Sequence, residues 1–295
     1  MNKKIKSIIL KKNKSKIVSL TAYSKSIAKI LDKFCDIILV GDSMANVLYG
    51  HKNTHKIKLD NIIQHSISVK MGIKKSLLVV DMPKGTYNSV AVAVKNAKKI
   101  MKKTKCDAVK LESNKKNYKI IENLIKRNIP VMGHIGFTPQ FKKKFKIEGK
   151  TKFEINKLIK EALLIEKAGA FSIVLECLSP YAAKLITKSI NIPTIGIGSS
   201  SFCDGQILVT DDMLGMSGFY PRFVKKFNFH LNKNALMAPR NCVSSCLIFV
   251  SNSTSTFTIS LFFLKIKNAP SALCLVHTLT KFRPNSICNS HLLSP

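Results

Sequence analysis

From residue 16 to residue 210 the chain repeats one pattern. A short, nearly continuous apolar run is followed by a polar break, and several of the intervening stretches have helical spacing. Eight runs carry it: "KIVSLTAY", "DIILVGDS", "SLLVVDMP", "DAVKLES", "IPVMGHIG", "FSIVLECL", "IPTIGIGS" and "GQILVTDD". Runs of this kind predict strands covered on both faces, as in parallel sheets, because a half-exposed strand would alternate apolar and polar positions. Between them, "NSVAVAVKNAKKIM" predicts a helix with Val90, Val94, Ala97 and Met101 on one face. "EINKLIKEALLIEKAG" does the same with Ile155, Leu158, Ile159 and Ala162, and Gly169 supplies the stop. Eight strand units alternating with helices predict a (β/α)₈ barrel of the TIM type, with an open doubly wound sheet as the alternative. The opening "MNKKIKSIILKKNKSK" predicts a short amphipathic helix, since Ile8, Ile9 and Leu10 are too short an apolar core for a signal peptide.

The residues that leave each run matter more than the runs themselves. Asp42 and Ser43 follow the second, Asp81 the third, Lys110 and Glu112 the fourth, His134 the fifth and Glu176 the sixth; the seventh ends in the turn "GIGSS". One acid at a strand end is more often a cap than a ligand. In a barrel, however, these ends meet at one face, so the repeated pattern predicts that distant ionisable groups converge on one site.

Charge changes the picture less than its size suggests. The 295 residues hold 49 Lys plus Arg against 16 Asp plus Glu, a formal net charge of +33. Such a balance suggests nucleic acid or another anionic partner. Here the excess is mainly Lys, scattered through helix-like segments rich in Ile and Asn. No RNA-recognition, helix-turn-helix or zinc-finger spacing accompanies it, so no specific nucleic-acid binding is expected. The eight Cys form no CxxC pair, which predicts a reduced, intracellular (cytoplasmic) protein. No apolar run is long enough to span a membrane.

The tail has a different character. No acid follows Asp212, and "NCVSSCLIFVSNSTSTFTISLFFL" is dense in Ser, Thr and Cys without a helical period. The expected division is a catalytic barrel over 1–227 and an atypical basic, Ser/Cys-rich segment over 228–295. A frameshifted or disordered tail is one reading of that segment, and a basic anchor or interaction tail is the other.

Asp42, Asp81 and Glu112 offer hard oxygen donors without Cys or His, a set that favours Mg²⁺ or a similar ion. The plainer reading is a solvated acidic rim. Lys110 and Glu112 are two residues apart in a strand and so point to the same side. A divalent ion beside an ammonium suits a small substrate with a carboxylate next to another oxygen, such as an α-keto acid. Glu176 is then the candidate base for a proton next to the carbonyl.

In order, "VSLTAYSKSIAKI", "LVGDSMANVLYGHKNT", "VKLE", "IPVMGHIGFTPQ", "VLEC", "IPTIGIG" and "DGQILV" closely resemble the ketopantoate hydroxymethyltransferase family, from about residue 5 to 227. The resemblance implies a (β/α)₈ barrel enzyme of pantothenate biosynthesis. Such an enzyme transfers a one-carbon unit from 5,10-methylenetetrahydrofolate to α-ketoisovalerate and uses Mg²⁺ or another divalent ion. It implies a homo-oligomer, commonly a decamer. By motif, Asp42, Asp81 and Glu112 resemble the metal-associated carboxylates, with Asp42 and Asp81 also against the keto acid. Ser43 resembles a substrate contact, Lys110 the residue gripping the substrate carboxylate, and Glu176 the catalytic base. His134 falls at a site-lining position, although a strand-end His satisfied by a backbone carbonyl reads equally well.

The chain departs from the family pattern in several places. "FKKKFKIEGKT" is a Lys-rich run with Lys150 where Arg is usual, "GIGSS" has Ser200 in place of a glycine, and Lys84 follows "DMP" where an aromatic is common. These changes bear on folate affinity and loop closure, and the altered C-terminus bears on assembly. Two other readings are another Mg²⁺-dependent enolate-forming lyase or mutase of a related barrel, and an inactive basic binding protein. The first typically carries a Cys-bearing catalytic loop, which "GFTPQFKKKF" lacks; the intact acid–base set argues against the second.

Overall fold

Each of the eight apolar runs forms a strand in the computed structural model, which describes residues 2–113, 117–142, 145–218 and 221–224. The strands are β1 (Ile17–Thr21), β2 (Ile37–Val40), β3 (Leu77–Asp81), β4 (Ala108–Lys110), β5 (Val131–Gly136), β6 (Ser172–Glu176), β7 (Thr194–Ile197) and β8 (Gly205–Leu208). They pair in parallel in chain order, and β1 pairs with β8, closing the barrel and excluding the open sheet. The helices are α1 (Lys3–Ile9), α2 (Lys25–Leu31), α3 (Met44–Val47), α4 (Leu59–Lys70), α5 (Val90–Thr104), α6 (Tyr118–Ile125), α7 (Lys152–Lys167), α8 (Pro180–Ser189) and α9 (Thr210–Met213). Only a turn, 198–204, joins β7 to β8. None of the described helices is long and apolar enough to cross a membrane. The segment 228–295, read above as foreign to the barrel, lies outside the described residues.

Alternation along the strands sorts the apolar side chains into two cores. Ile37, Leu39, Leu77, Val79, Met132, Val174 and Ile195 fill the barrel, and Ile5 and Ile8 of α1 belong to this inner cluster. Ile38, Val40, Leu78, Val80, Ile135 and Leu175 face outward against the helices. This two-sided burial is why the runs lack polar positions. Four helices start on hydroxyls that accept a backbone N–H: Ser24 from Ile27, Ser89 from Val92, Thr151 from Glu154 and Ser179 from Ala182. Each such cap is worth about 1 kcal/mol.

The buried line of α5 differs from the predicted face. It runs through Ala93, Ala97, Ile100 and Thr104, with Val90, Val94 and Met101 half-buried at its flanks. Small residues take the centre because the helix packs closely on the sheet, leaving the larger valines to fill the sides. On α7, Ile155, Leu158 and Ala162 are buried as expected, joined by Ile165, while Ile159 is at the edge.

At the N-terminal end of the barrel the acids serve the fold. Asp36 accepts the Val18 N–H and pairs with Lys11, Asp107 accepts the Leu78 N–H, and Asp204 accepts the Thr194 N–H and pairs with Lys12. Asp32 takes N–H groups from Lys74, Lys75 and Ser76. Burial works against its charge, but those three bonds outweigh it and leave its pKa below the usual value. These carboxylates replace backbone partners that the strand starts would otherwise lack.

Gly136 ends β5 at φ +93°, and a Cβ there would lie 2.1 Å from the Glu176 carbonyl oxygen. Gly136→Ala is expected to destabilise the barrel by on the order of 3 kcal/mol, or roughly 6–12 °C in Tm. Thermal melts followed by circular dichroism test this. A melt matching the parent chain's would sink the close-contact argument.

Candidate active site

At the opposite, C-terminal end of the strands the acids lie close to other ionisable groups. Register places Asp81 beside Lys110, and the Lys110 ammonium sits 2.7 Å from Asp81 Oδ1 with both side chains buried. Asp81 Oδ2 also accepts the Asp42 N–H at 3.1 Å. Asp42 reaches this position because the chain turns at Gly41, where a Cβ would stand 2.9 Å from Ser43 Oγ and 3.5 Å from Asp81 Oδ2. Ser43 immediately precedes α3, and its hydroxyl lies 2.9 Å from that of Tyr23.

Glu112 lies two residues beyond Lys110, and Glu112 Oε2 accepts the Gln140 N–H at 3.0 Å. Its other oxygen is 3.9 Å from His134 Nδ1. His134 Nε2 in turn is 3.1 Å from Glu176 Oε2, although neither ring nitrogen makes an aligned hydrogen bond. Of the four carboxylates Glu176 is the most open, its side chain 17 % exposed. A substrate entering the barrel mouth therefore has access to it.

The structure thus brings Asp42, Ser43, Asp81, Lys110, Glu112, His134 and Glu176 to one end of the barrel. Among the described residues, no group of three Asp, Glu, His or Cys side chains closes on a single metal-sized point. Asp42 and Asp81 adjoin, whereas Glu112 is engaged by Gln140.

Four buried or half-buried carboxylates face one ammonium, and protonation offsets the imbalance. Burial and then Asp81 push Asp42 up to about 7. Burial pushes Glu176 up to about 8. Burial and then Asp42 hold Glu112 well above the usual range. For Lys110, burial alone would favour the neutral amine, but Asp81, Asp42 and Glu112 outweigh it and hold the ammonium charged. Burial and then the Lys110 charge push His134 well below its usual value. The imidazole is therefore neutral, and its contact with Glu176 is not an ion pair.

Four site residues have no assigned role in the sequence reading. Gln140 is central: Nε2 donates to Asp42 Oδ2 at 2.8 Å and to the Met82 carbonyl at 3.1 Å. Its Oε1 accepts from the Tyr87 hydroxyl at 2.5 Å, and burial raises the Tyr87 pKa so that it stays a donor. Tyr23 supports Ser43, and Thr54 helps Asp42 keep its charge while making no aligned hydrogen bond. Gln140 and Thr54 end the blocks "GFTPQ" and "GHKNT", so their motif membership was the available signal. Tyr23 likewise lies in the block "VSLTAYSKSIAKI", whereas Tyr87 is recognisable only from its contacts.

The closed parallel barrel and its ionisable C-terminal mouth define a TIM-type enzyme scaffold. Solved structures with the same architecture include 2,3-dimethylmalate lyase (TM-score 0.55, 13% identity, covering 70% of this chain and 80% of that one). Another is phosphoenolpyruvate phosphomutase from Streptomyces platensis subsp. rosaceus (TM-score 0.56, 10% identity, 70% and 80%). At such identities the likeness is one of fold. A sequence profile of the ketopantoate hydroxymethyltransferase family matches residues 2–242. The 3-methyl-2-oxobutanoate hydroxymethyltransferase of Pelagibacter ubique (strain HTCC1062) is 56% identical over 228 residues, 77% of this chain and 89% of that protein. The protein of the same name from Clostridioides difficile (strain 630) is 51% identical over 219 residues, 72% and 79%. The chain belongs to the ketopantoate hydroxymethyltransferase family.

Proposed function

We propose that the chain transfers a hydroxymethyl group from 5,10-methylenetetrahydrofolate to 3-methyl-2-oxobutanoate, giving 2-dehydropantoate as the first step of pantothenate synthesis. The observation that carries this reading is the buried excess of carboxylates around one ammonium, with Glu176 alone reaching the mouth. The imbalance fits a divalent cation, which can replace the protons on Asp42 and its neighbours. Asp42 and Asp81 would hold the ion, and Glu112 would add a third carboxylate's negative charge nearby. Few protein ligands and open positions suit Mg²⁺. When bound, the cation supplies Lewis-acid polarisation of the keto oxygen.

The chain's own residues do the rest. Lys110 spends one N–H on Asp81 and, with three donors, can also receive the substrate carboxylate. Ser43, steadied by Tyr23, contacts the keto acid beside Asp42. Glu176 takes the proton from C3, and the electron pair left behind delocalises toward the keto oxygen. Water opens the donor's methylene bridge: both C–N bonds break, the two nitrogens take water's protons, and the carbon is released at the aldehyde level. C3 attacks that carbon, and its oxygen takes the proton held by Glu176, giving the hydroxymethyl group and free tetrahydrofolate. Neutral His134 lies against Glu176 without adding positive charge, so the carboxyl keeps its raised pKa and a basic anion.

Proton NMR of 3-methyl-2-oxobutanoate in D₂O tests the first half of this reaction without the donor. The expected result is loss of the C3 proton signal with protein and Mg²⁺ together, and its persistence with either alone. Persistence with both present would defeat the proposal.

A further inference from the structure

A second feature borders the site and plays no part in the chemistry above. An open groove of about 730 Å³ is lined by His51, His55, Lys56, Lys58 and Lys84, together with Ile57, Leu59, Gly85 and Thr86. Among the described residues no acid lines it. Some surface lysines are paired with acids: Lys99 with Asp60, Lys126 with Glu122, and Lys142 with Glu148. A second groove, of about 270 Å³, mixes Lys142, Lys146 and Lys157 with Glu148, Glu154 and Glu161 and suits no polyanion.

The basic groove is joined to the active site at three points. Thr54, which faces Asp42, immediately precedes His55. His55 Nε2 lies 3.0 Å from the Pro139 carbonyl, next to the Gln140 that binds Asp42 and Glu112. Lys84 Nζ lies 3.3 Å from Nδ1 and 3.4 Å from Nε2 of the same ring. Lys84 follows Asp81 by three residues, at the exit of β3. The His55–Lys84 contact places Lys84 at the groove edge, and among the described residues no carboxylate forms an ion pair with it.

We propose that this groove binds the glutamyl carboxylates of the folate donor, so that the chain prefers polyglutamylated over monoglutamylated donors. The inference rests on the transferase reading above. The transferred carbon of such a donor lies between the pteridine and the benzoyl ring. Its glutamyl tail begins one ring away, and each added γ-linked glutamate contributes one more carboxylate. A groove beside the reacting site, lined by several ammonium groups and by the apolar Ile57 and Leu59, matches that tail.

The test titrates tetrahydropteroyl-monoglutamate and tetrahydropteroyl-triglutamate into the full chain by calorimetry at fixed ionic strength. The triglutamate is expected to bind about tenfold tighter, the sum of two or three partly screened ion pairs. Lys58→Glu with Lys84→Glu is expected to abolish the preference. Lys3→Glu with Lys6→Glu on α1, at the far end of the barrel, makes the same change in net charge and is expected to keep it. Equal binding of the two folates by the parent chain overturns the proposal. So does an equal effect of the two double variants, which would reveal only the general field of a basic protein. Displacement of the triglutamate by inorganic phosphate or a single-stranded oligonucleotide at similar concentration would identify a general anion site and also overturn it. The C3 exchange experiment keeps the two readings apart. Exchange without a triglutamate preference defeats the groove alone, and a preference without exchange defeats the transferase alone.

Discussion

Glu176→Gln is expected to slow C3 proton exchange by about 10²–10⁴-fold while leaving the barrel folded. Gln keeps the shape of the side chain beside His134 and removes only its basicity. The pH dependence separates this role from a structural one. Burial raises Glu176 to about 8, so in the metal-free protein the basic form is scarce at low pH and grows as pH rises. Exchange by the parent chain should therefore climb about tenfold per pH unit below that value and flatten above it. A bound divalent ion favours the carboxylate and should move the plateau to lower pH. In the Gln variant the residual rate should lose this limb. Stability should move the other way: a carboxyl whose folded pKa lies above its unfolded value weakens the fold as pH rises through that interval, and Gln removes the penalty. Unchanged exchange in a folded Gln variant would remove Glu176 from the mechanism.

Asp42→Asn should separate activity from stability in the same way. Asp42 is buried beside Asp81, and its pKa is raised to about 7 in the fold. Its ionised form therefore opposes folding increasingly as pH rises from about 4 toward 7, with the full effect above. Asn retains an oxygen for the Gln140 amide and carries no charge. Without divalent ions the variant should melt about 3 °C or more above the parent at pH 8, corresponding to roughly 1 kcal/mol. The parent's gain in Tm on adding Mg²⁺ should be larger at pH 8 than at pH 6, because protons compete for Asp42. In Asp42→Asn that gain should largely vanish, and exchange should fall by about 10²-fold or more. Scanning calorimetry at the two pH values, with and without Mg²⁺, measures both effects. A variant that gains as much from Mg²⁺ as the parent would take Asp42 out of the ion's site.

The acids of β2 show how far the sequence reaches. "DIILVGDS" places Asp36 before the strand and Asp42 after it, and the two look alike as carboxylates beside an apolar run. Chain direction separates them once a parallel barrel is inferred, because all strand exits share one face. The structure then supplies the energetic distinction. Asp36 accepts a backbone N–H and a lysine, whereas Asp42 sits beside another carboxylate with a raised pKa. Gln140 was harder to recognise, since its importance lies in contacts to residues as distant as Asp42, 98 positions away. The face of α5 was offset because periodicity alone cannot decide whether valine or alanine lies closest to the sheet.

What the sequence by itself determined about this protein was the eight-strand rhythm, the barrel and the set of ionisable residues leaving its strands. Those properties follow from the local alternation of apolar runs and from a chain direction that parallel pairing imposes on every strand alike. Only the tertiary structure decided which carboxylates are satisfied, which crowd one another, and which side chains tie Asp42 to Glu112. It also decided that Lys84, His55 and Lys58 border one groove. Burial and electrostatic coupling depend on distances between residues far apart in the chain, and folding sets those distances.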